Sequence, residues 1–261
     1  MLSQELAVEK ICTSLKRDQD VLAIFLKGSM GRDEHDEHSD IDLYCLIKKE
    51  KEEQFLAKRL EHLKAYSNII FDENIFIIAP QLIAVFDDLL HIDLFTVTME
   101  SFTEKDYFRV LYDPNNLLNN FVETQTLTLS ENEFRDAVEY IAWFLFQYKK
   151  AAARGNDIWA VKMLTNIMEH LARVLLFKYA PSRAQLGLKT LHHSLPENIL
   201  SDVKEIFTLI TPMGHQKASL QISQLVSKEF EWIIANLTDK SQIEDLFQKM
   251  VEFHIHQDVS K

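Results

Sequence analysis

The sequence predicts an α+β chain: a mixed sheet with helices, followed by a C-terminal helical bundle. Three observations carry this. Residues 21–97 contain short apolar and alternating runs separated by turn signals. From about residue 125 onward that alternation disappears and helical spacing takes over. With 261 residues, 47% of them hydrophobic and few Gly or Pro, the chain can build a large core or two ordinary ones.

Taken in order, Leu6, Val8, Ile11 and Leu15 space as an amphipathic helix. VLAIFLK, 21–27, is a continuous apolar run, as expected of a strand covered on both faces. In IDLYCLI, 41–47, Ile41, Leu43, Cys45 and Ile47 share one face. Residues 48–66 have helical spacing, with Phe55, Leu56, Leu60 and Leu63 on one side. NIIF, IFIIA, LIAVF and LLHIDLFTV then read as successive β-like runs, with FDDLLH turning between the last two. Ser130 followed by Glu133 is a capping-box signal for a helix start. Phe134, Val138, Ile141, Leu145 and Tyr148 form the stripe of that helix, and Arg154-Gly155 ends it. Trp159, Met163, Ile167, Leu171 and Leu175 predict a second helix, and Trp143 and Trp159 read as core. Phe230, Ile233, Ile234 and Leu237 belong to a further helix, and Ile243, Phe247 and Met250 to a last one. The expected division is 1–125 and 126–261.

A formal net charge of −12 disfavours a nucleic-acid partner, which requires basic surface. It suits solubility or a cationic small molecule. No run of 18 apolar residues spans a membrane, and the first residues lack a continuous apolar signal core, so a cytoplasmic location is expected. Cys12 and Cys45 have no metal-motif spacing, and Cys45 reads as a buried free thiol.

The chemistry concentrates in FLKGSMGRDEHDEHSDIDLY, 25–44. Asp40 and Asp42 point to the same side of a strand start, where two carboxylates repel unless a cation joins them. A hard divalent ion takes such oxygen ligands, often with substrate phosphates. Gly28-Ser29 follows the preceding strand; glycine admits a phosphate close to the backbone and serine adds a hydroxyl. In HIDLF, 91–95, Asp93 faces away from Ile92 and Leu94, and completes an acidic triad if its strand lies beside 41–47. Such a third carboxylate can hold metal or accept the proton of an attacking hydroxyl. Arg32 is a candidate for triphosphate contact, although a solvated loop arginine explains it equally well. Asp33, Glu34, Asp36 and Glu37, with His35 and His38, read as a flexible acidic loop rather than a metal cluster. Lys149, Lys150 and Arg154 fit either phosphate contact or an exposed helix end. His192, His193, His254 and His256 have no matching partners and read as ordinary histidines.

Gly28-Ser29, the eleven-residue step to Asp40, then Asp-Ile-Asp and the later Asp93 resemble the nucleotidyltransferase superfamily with the polymerase-β-like fold. Over most of the chain the similarity is to the lincosamide and aminoglycoside antibiotic nucleotidyltransferases. VLYDPNNLL, 110–118, resembles their Tyr-Asp segment after the catalytic sheet, and residues 148–176 resemble their helical pair joined at Arg-Gly. The resemblance implies a catalytic domain at 1–125 and a helical acceptor-binding domain at 126–261, with the acceptor between the two halves. It implies Mg²⁺, two ions, held by Asp40, Asp42 and Asp93, with ATP or another nucleoside triphosphate as donor. Gly28 and Ser29 would hold phosphates, and a small-molecule hydroxyl would be the acceptor. The other reading is an antitoxin-like nucleotidyltransferase that modifies or binds a protein partner. Whether the chain is a monomer or a homodimer is left open.

Overall fold

The structure, a computed structural model, describes residues 2–102, 105–238 and 243–256, with side chains as far as 253 in the last stretch. The chain divides into two compact units, Met1–Thr126 and Leu127–Lys261.

The first unit runs α1 (Ser3–Leu15), β1 (Val21–Leu26), the single turn α2 (Gly28–Gly31), β2 (Ile41–Ile47) and α3 (Glu52–Leu63). Then come β3 (Ile69–Phe76), β4 (Pro80–Phe86), β5 (His91–Val97), β6 (Arg109–Tyr112) and a 3-10 helix, Leu117–Thr124. The six strands order as β3-β4-β5-β2-β1-β6. Among the described residues, only the β2–β5 pair is parallel; the other pairs are antiparallel.

Strand alternation divides the core in two. Ile41, Leu43, Cys45 and Ile47 face α1 and α3 and pack with Ile11, Leu15, Phe55 and Leu63. Tyr44 and Leu46 face the other way, into a cluster with Phe25, Phe95, Phe102 and Leu118. Tyr44 stacks on Phe95 with ring centroids 4.3 Å apart. Cys12 and Cys45 are buried free thiols, and burial raises both above the usual thiol range.

Several elements differ from the sequence reading. NIIF and the start of IFIIA are one strand, because the polar Asp72-Glu73-Asn74 lie on the exposed sheet edge where solvent satisfies them. The buried face of α1 is Gln4, Ala7, Val8, Ile11, Cys12 and Leu15, and Leu6 is exposed. On α3 the buried stripe is Phe55, Arg59 and Leu63. Arg59 tolerates burial because it donates to Asn74 Oδ1 at 2.7 Å and to the carbonyl of Pro80 at 3.3 Å. VLY belongs to the sheet, since β6 pairs with β1. Asp113 accepts from the backbone N–H groups of Leu117 and Leu118 and so caps the 3-10 helix.

The second unit is helical: α4 (Glu131–Ala153), α5 (Asp157–Tyr179), a 3-10 segment (Pro181–Thr190), α6 (Leu191–Ser194), α7 (Glu197–Leu209), α8 (His215–Ala235) and α9 (Ile243–His256). Its core joins Phe134, Val138, Ile141, Leu145 and Tyr148 of α4 to Met163, Ile167, Leu171 and Leu175 of α5. Trp143 and Trp159 are about half exposed, not core. The buried stripe of α5 starts at Ala160, one position on. Lys149 and Lys150 extend over the rings of Phe253 and Phe146. His192 and His193 are exposed, while the side chains of His254 and His256 lie outside the described residues.

The start of α4 carries a full capping box. Glu133 N–H donates to Ser130 Oγ at 3.3 Å, and Ser130 N–H donates to Glu133 Oε2 at 2.7 Å. Ser130→Ala is expected to destabilise the helical unit by about 1 kcal/mol. A urea titration followed by far-UV circular dichroism checks this, and an unchanged midpoint would contradict it.

Candidate active site

The parallel pairing of β2 with β5 builds the site. Its register sets Asp42 directly beside Asp93. Both therefore project from the same sheet face, two residues ahead of the stacked Tyr44 and Phe95. Asp40 lies one residue before β2, not within it. One carboxylate oxygen from each of Asp40 and Asp93 and one ring nitrogen of His91 all lie within 4.8 Å of one another. The structure thus gathers Asp40 and Asp93 in one group, with Asp42 adjacent in register.

Gly28 closes the same end of the sheet. β1 runs antiparallel to β2, with Leu26 opposite Leu43, so the chain leaves β1 beside Asp42. Lys27 N–H donates to the Asp42 carbonyl at 3.0 Å. Gly28 adopts φ +58°, and a Cβ placed there would lie 1.9 Å from Asp42 Oδ2. The Asp42 carboxylate therefore occupies the space that a side chain at 28 would fill. Gly31 is also confined, since its Cβ would sit 2.7 Å from the Leu26 carbonyl. Ser29 is the second residue of this turn, and its carbonyl accepts from Glu34 N–H at 2.9 Å.

Arg32 is engaged elsewhere. Its guanidinium pairs with Glu34 at 3.0 Å and with Asp106 at 2.6 Å. A phosphate would have to compete with both carboxylates for it. The acidic loop is held by specific bonds. Gln4, buried on α1, donates to the carbonyls of Glu37 and Ser39 at 3.1 and 2.9 Å. Asp36 accepts from the His38 backbone and the Ser39 hydroxyl. These contacts fix the chain that delivers Asp40 to β2.

His91 was not singled out in the sequence, although alternation from Asp93 indicates it: two residues apart on one strand share a face. Its Nε2 is 3.1 Å from Asp93 Oδ1 and its Nδ1 is 4.0 Å from Asp40 Oδ2. The hydrogen bond to Asp93 holds the imidazole above its ordinary pKa, against the opposing effect of burial, and the charges of Asp93, Asp40 and Asp42 add to the rise. Lys27 was also missed, and nothing in its neighbourhood marks it. It is buried, with its ammonium 5.4 and 5.2 Å from the ring centres of Tyr44 and Phe102. An open cavity of about 480 Å³ borders this end of the sheet, lined by Gln4, Glu37, Ser39, Asp40, Leu90 and His91 among others.

The donor set fits a divalent cation. The carboxylates of Asp40 and Asp93 and the ring of His91 converge at one end of the sheet, with Asp42 next to Asp93 in register and lodged in the space that Gly28 leaves. Among the described residues, no helix is long and apolar enough to cross a membrane.

Among solved structures the chain is similar to an aminoglycoside 6-adenyltransferase from Bacillus subtilis, 13% identical, with 97% of each chain covered and a TM-score of 0.41. It is also similar to a nucleotidyltransferase-like protein from Exiguobacterium sibiricum, 10% identical, covering 97% of this chain and 91% of that one at a TM-score of 0.38. A spectinomycin adenyltransferase from Enterococcus faecialis, with ATP and spectinomycin, is 10% identical over 96% of this chain and 98% of its own, at 0.32. No curated protein matches the chain in sequence. Residues 9–84 match the family model for the polymerase beta nucleotidyltransferase domain, a stretch that runs from α1 into β4 and includes Gly28, Asp40 and Asp42. Residues 9–84 of the N-terminal unit thus carry a polymerase-β-type nucleotidyltransferase domain, and that segment supplies Gly28, Asp40 and Asp42.

Proposed function

We propose that the chain transfers a nucleoside monophosphate, AMP from ATP, to a hydroxyl of a small molecule of the aminoglycoside or lincosamide class, with release of pyrophosphate. The observation that carries this reading is the in-register pair Asp42 and Asp93, with Asp40 at the mouth and Gly28 against Asp42. Asp40, Asp42 and Asp93 would hold Mg²⁺, two ions, which when bound neutralises charge on the attacking and leaving oxygens. Gly28 and Ser29 would receive the β- and γ-phosphates where the chain turns out of β1. Arg32 would join them by exchanging a carboxylate partner for a phosphate. Asp93 would either share the metal or take the proton of the acceptor hydroxyl, and its hydrogen bond to His91 would orient it.

The helical unit is proposed to recognise the acceptor. Within it, Tyr140 stacks on His170 at 4.7 Å and Phe144 joins at about 6 Å from each. Tyr140 is half exposed, so this aromatic group offers a face to a ring system. The net charge of −12 favours capture of a cationic acceptor, which fits an aminoglycoside better than a lincosamide. An antibiotic-resistance role follows if such a drug is modified.

The test is incubation with each of the four nucleoside triphosphates, Mg²⁺ and a panel of aminoglycosides and lincosamides, with mass detection of product. A nucleotidylated drug is expected with ATP. Absence of product with every pair would remove the small-molecule reading. The protein-partner reading draws on one feature, the exposed Ile70, Phe71, Phe76, Ile77 and Ile78 at and beyond edge strand β3. Label transferred to protein, with none on the drugs, would favour it.

A further inference from the structure

We infer that His91 is a direct ligand of the divalent ion, making this site selective for a transition ion such as Mn²⁺ over Mg²⁺. This rests on the reading that Asp40 holds a metal at this end of the sheet. The imidazole opens β5 two residues ahead of Asp93, so backbone alternation aims both at one point. Its Nε2 lies 3.1 Å from Asp93 Oδ1. An N–H there would donate to the carboxylate and leave the lone pair on Nδ1. A metal-bound histidine usually has this outer arrangement, with its second nitrogen tied to a carboxylate that fixes tautomer and ring plane. The freed Nδ1 faces Asp40 Oδ2 across 4.0 Å. That gap is too long for a hydrogen bond. Two ligand bonds of about 2.1 Å to one ion span about 4.2 Å at most, so an ion fits between the two atoms. Asp93 then stays outside this ion as the partner that fixes the imidazole, and His91 and Asp40 share the ion between them.

The consequence is a preference. Carboxylates alone suit Mg²⁺ and Mn²⁺ similarly, whereas an imidazole nitrogen adds to the binding of a transition ion and contributes little to Mg²⁺. A competing account makes His91 only a built-in cation that offsets the carboxylates. The two accounts differ in sign. If His91 is a ligand, its removal weakens Mn²⁺ and leaves Mg²⁺ nearly unchanged. If it is only a counter-charge, its removal tightens both ions.

The full-length protein is titrated with Mn²⁺ alone, free ion is followed by electron paramagnetic resonance, and Mg²⁺ is measured by competition. The bound Mn²⁺ is then probed for ¹⁴N coupling by electron spin-echo modulation. The expected result is nitrogen coupling in the wild type that disappears in His91→Ala, with the Mn²⁺ to Mg²⁺ preference falling about 10- to 100-fold. His91→Gln should behave as His91→Ala does. Absence of nitrogen coupling in the wild type overturns the inference, and that measurement needs no variant to fold. An unchanged preference in His91→Ala, or tighter binding of both ions, overturns it too. If drug modification is observed while the nitrogen signal is absent, the transfer reading stands and this inference alone falls.

Discussion

Asp42→Asn is expected to lower nucleotidyl transfer by at least about 10³-fold while the protein remains folded and no less stable. The amide keeps the shape of the carboxylate and removes the charge that a divalent ion and its bound triphosphate require. The backbone is untouched, and the Lys27 N–H to Asp42 carbonyl bond survives. Stability should hold or rise, because Asp42 faces Asp93 directly across the parallel ladder. Like charges in that position are destabilising by up to about 1 kcal/mol, and the substitution removes one of them. The measurement is turnover with ATP and the accepted drug, beside a thermal melt without nucleotide. Wild-type turnover would sink the metal-site model. Lost turnover with a collapsed melt would mean that Asp42 serves the fold instead.

The local chemistry was legible because it depends on short spacings. Asp40, Asp42 and Asp93 stand out through period-two alternation at strand starts, and Gly28 through its place after an apolar run. The start of α4 was legible for the same reason, since Ser130 and Glu133 satisfy each other within one turn. What a single strand cannot disclose is its neighbour. That β2 lies beside β5, in a register that pairs Asp42 with Asp93, is set by packing on both sheet faces. His91 shows a different limit: the rule that picks out Asp42 from Asp40 picks out His91 from Asp93, but FDDLLH also has the composition of a turn. Trp143 and Trp159 depart from the core that their hydrophobicity suggests, because large aromatic side chains are often left half exposed. Arg59 went unnoticed as a core residue because its partners, Asn74 and the Pro80 carbonyl, lie 15 and 21 residues away.

Gly28→Ala should disable the site by a different route, through space rather than charge. The backbone at 28 holds φ +58°, where an L side chain costs about 1–2 kcal/mol. The added methyl would stand 1.9 Å from Asp42 Oδ2 and 3.0 Å from its Cγ, so the carboxylate has to swing away or the turn has to move. A displacement near 1 Å in a reacting geometry is enough to cost about 10²-fold in rate. The expected outcome is a loss of at least about 10²-fold in transfer together with about 1–3 kcal/mol of stability. Gly155 separates the two effects. It has φ +65°, close to that of Gly28, but a Cβ there meets nothing within 4 Å. Gly155→Ala should therefore show the conformational cost, about 1 kcal/mol, and retain full transfer. Denaturant midpoints and turnover for the two variants side by side make the comparison. If Gly28→Ala keeps the wild-type rate, the close approach of Asp42 to the glycine has no part in the chemistry. If both variants lose rate equally, the loss comes from general destabilisation and not from the displaced carboxylate.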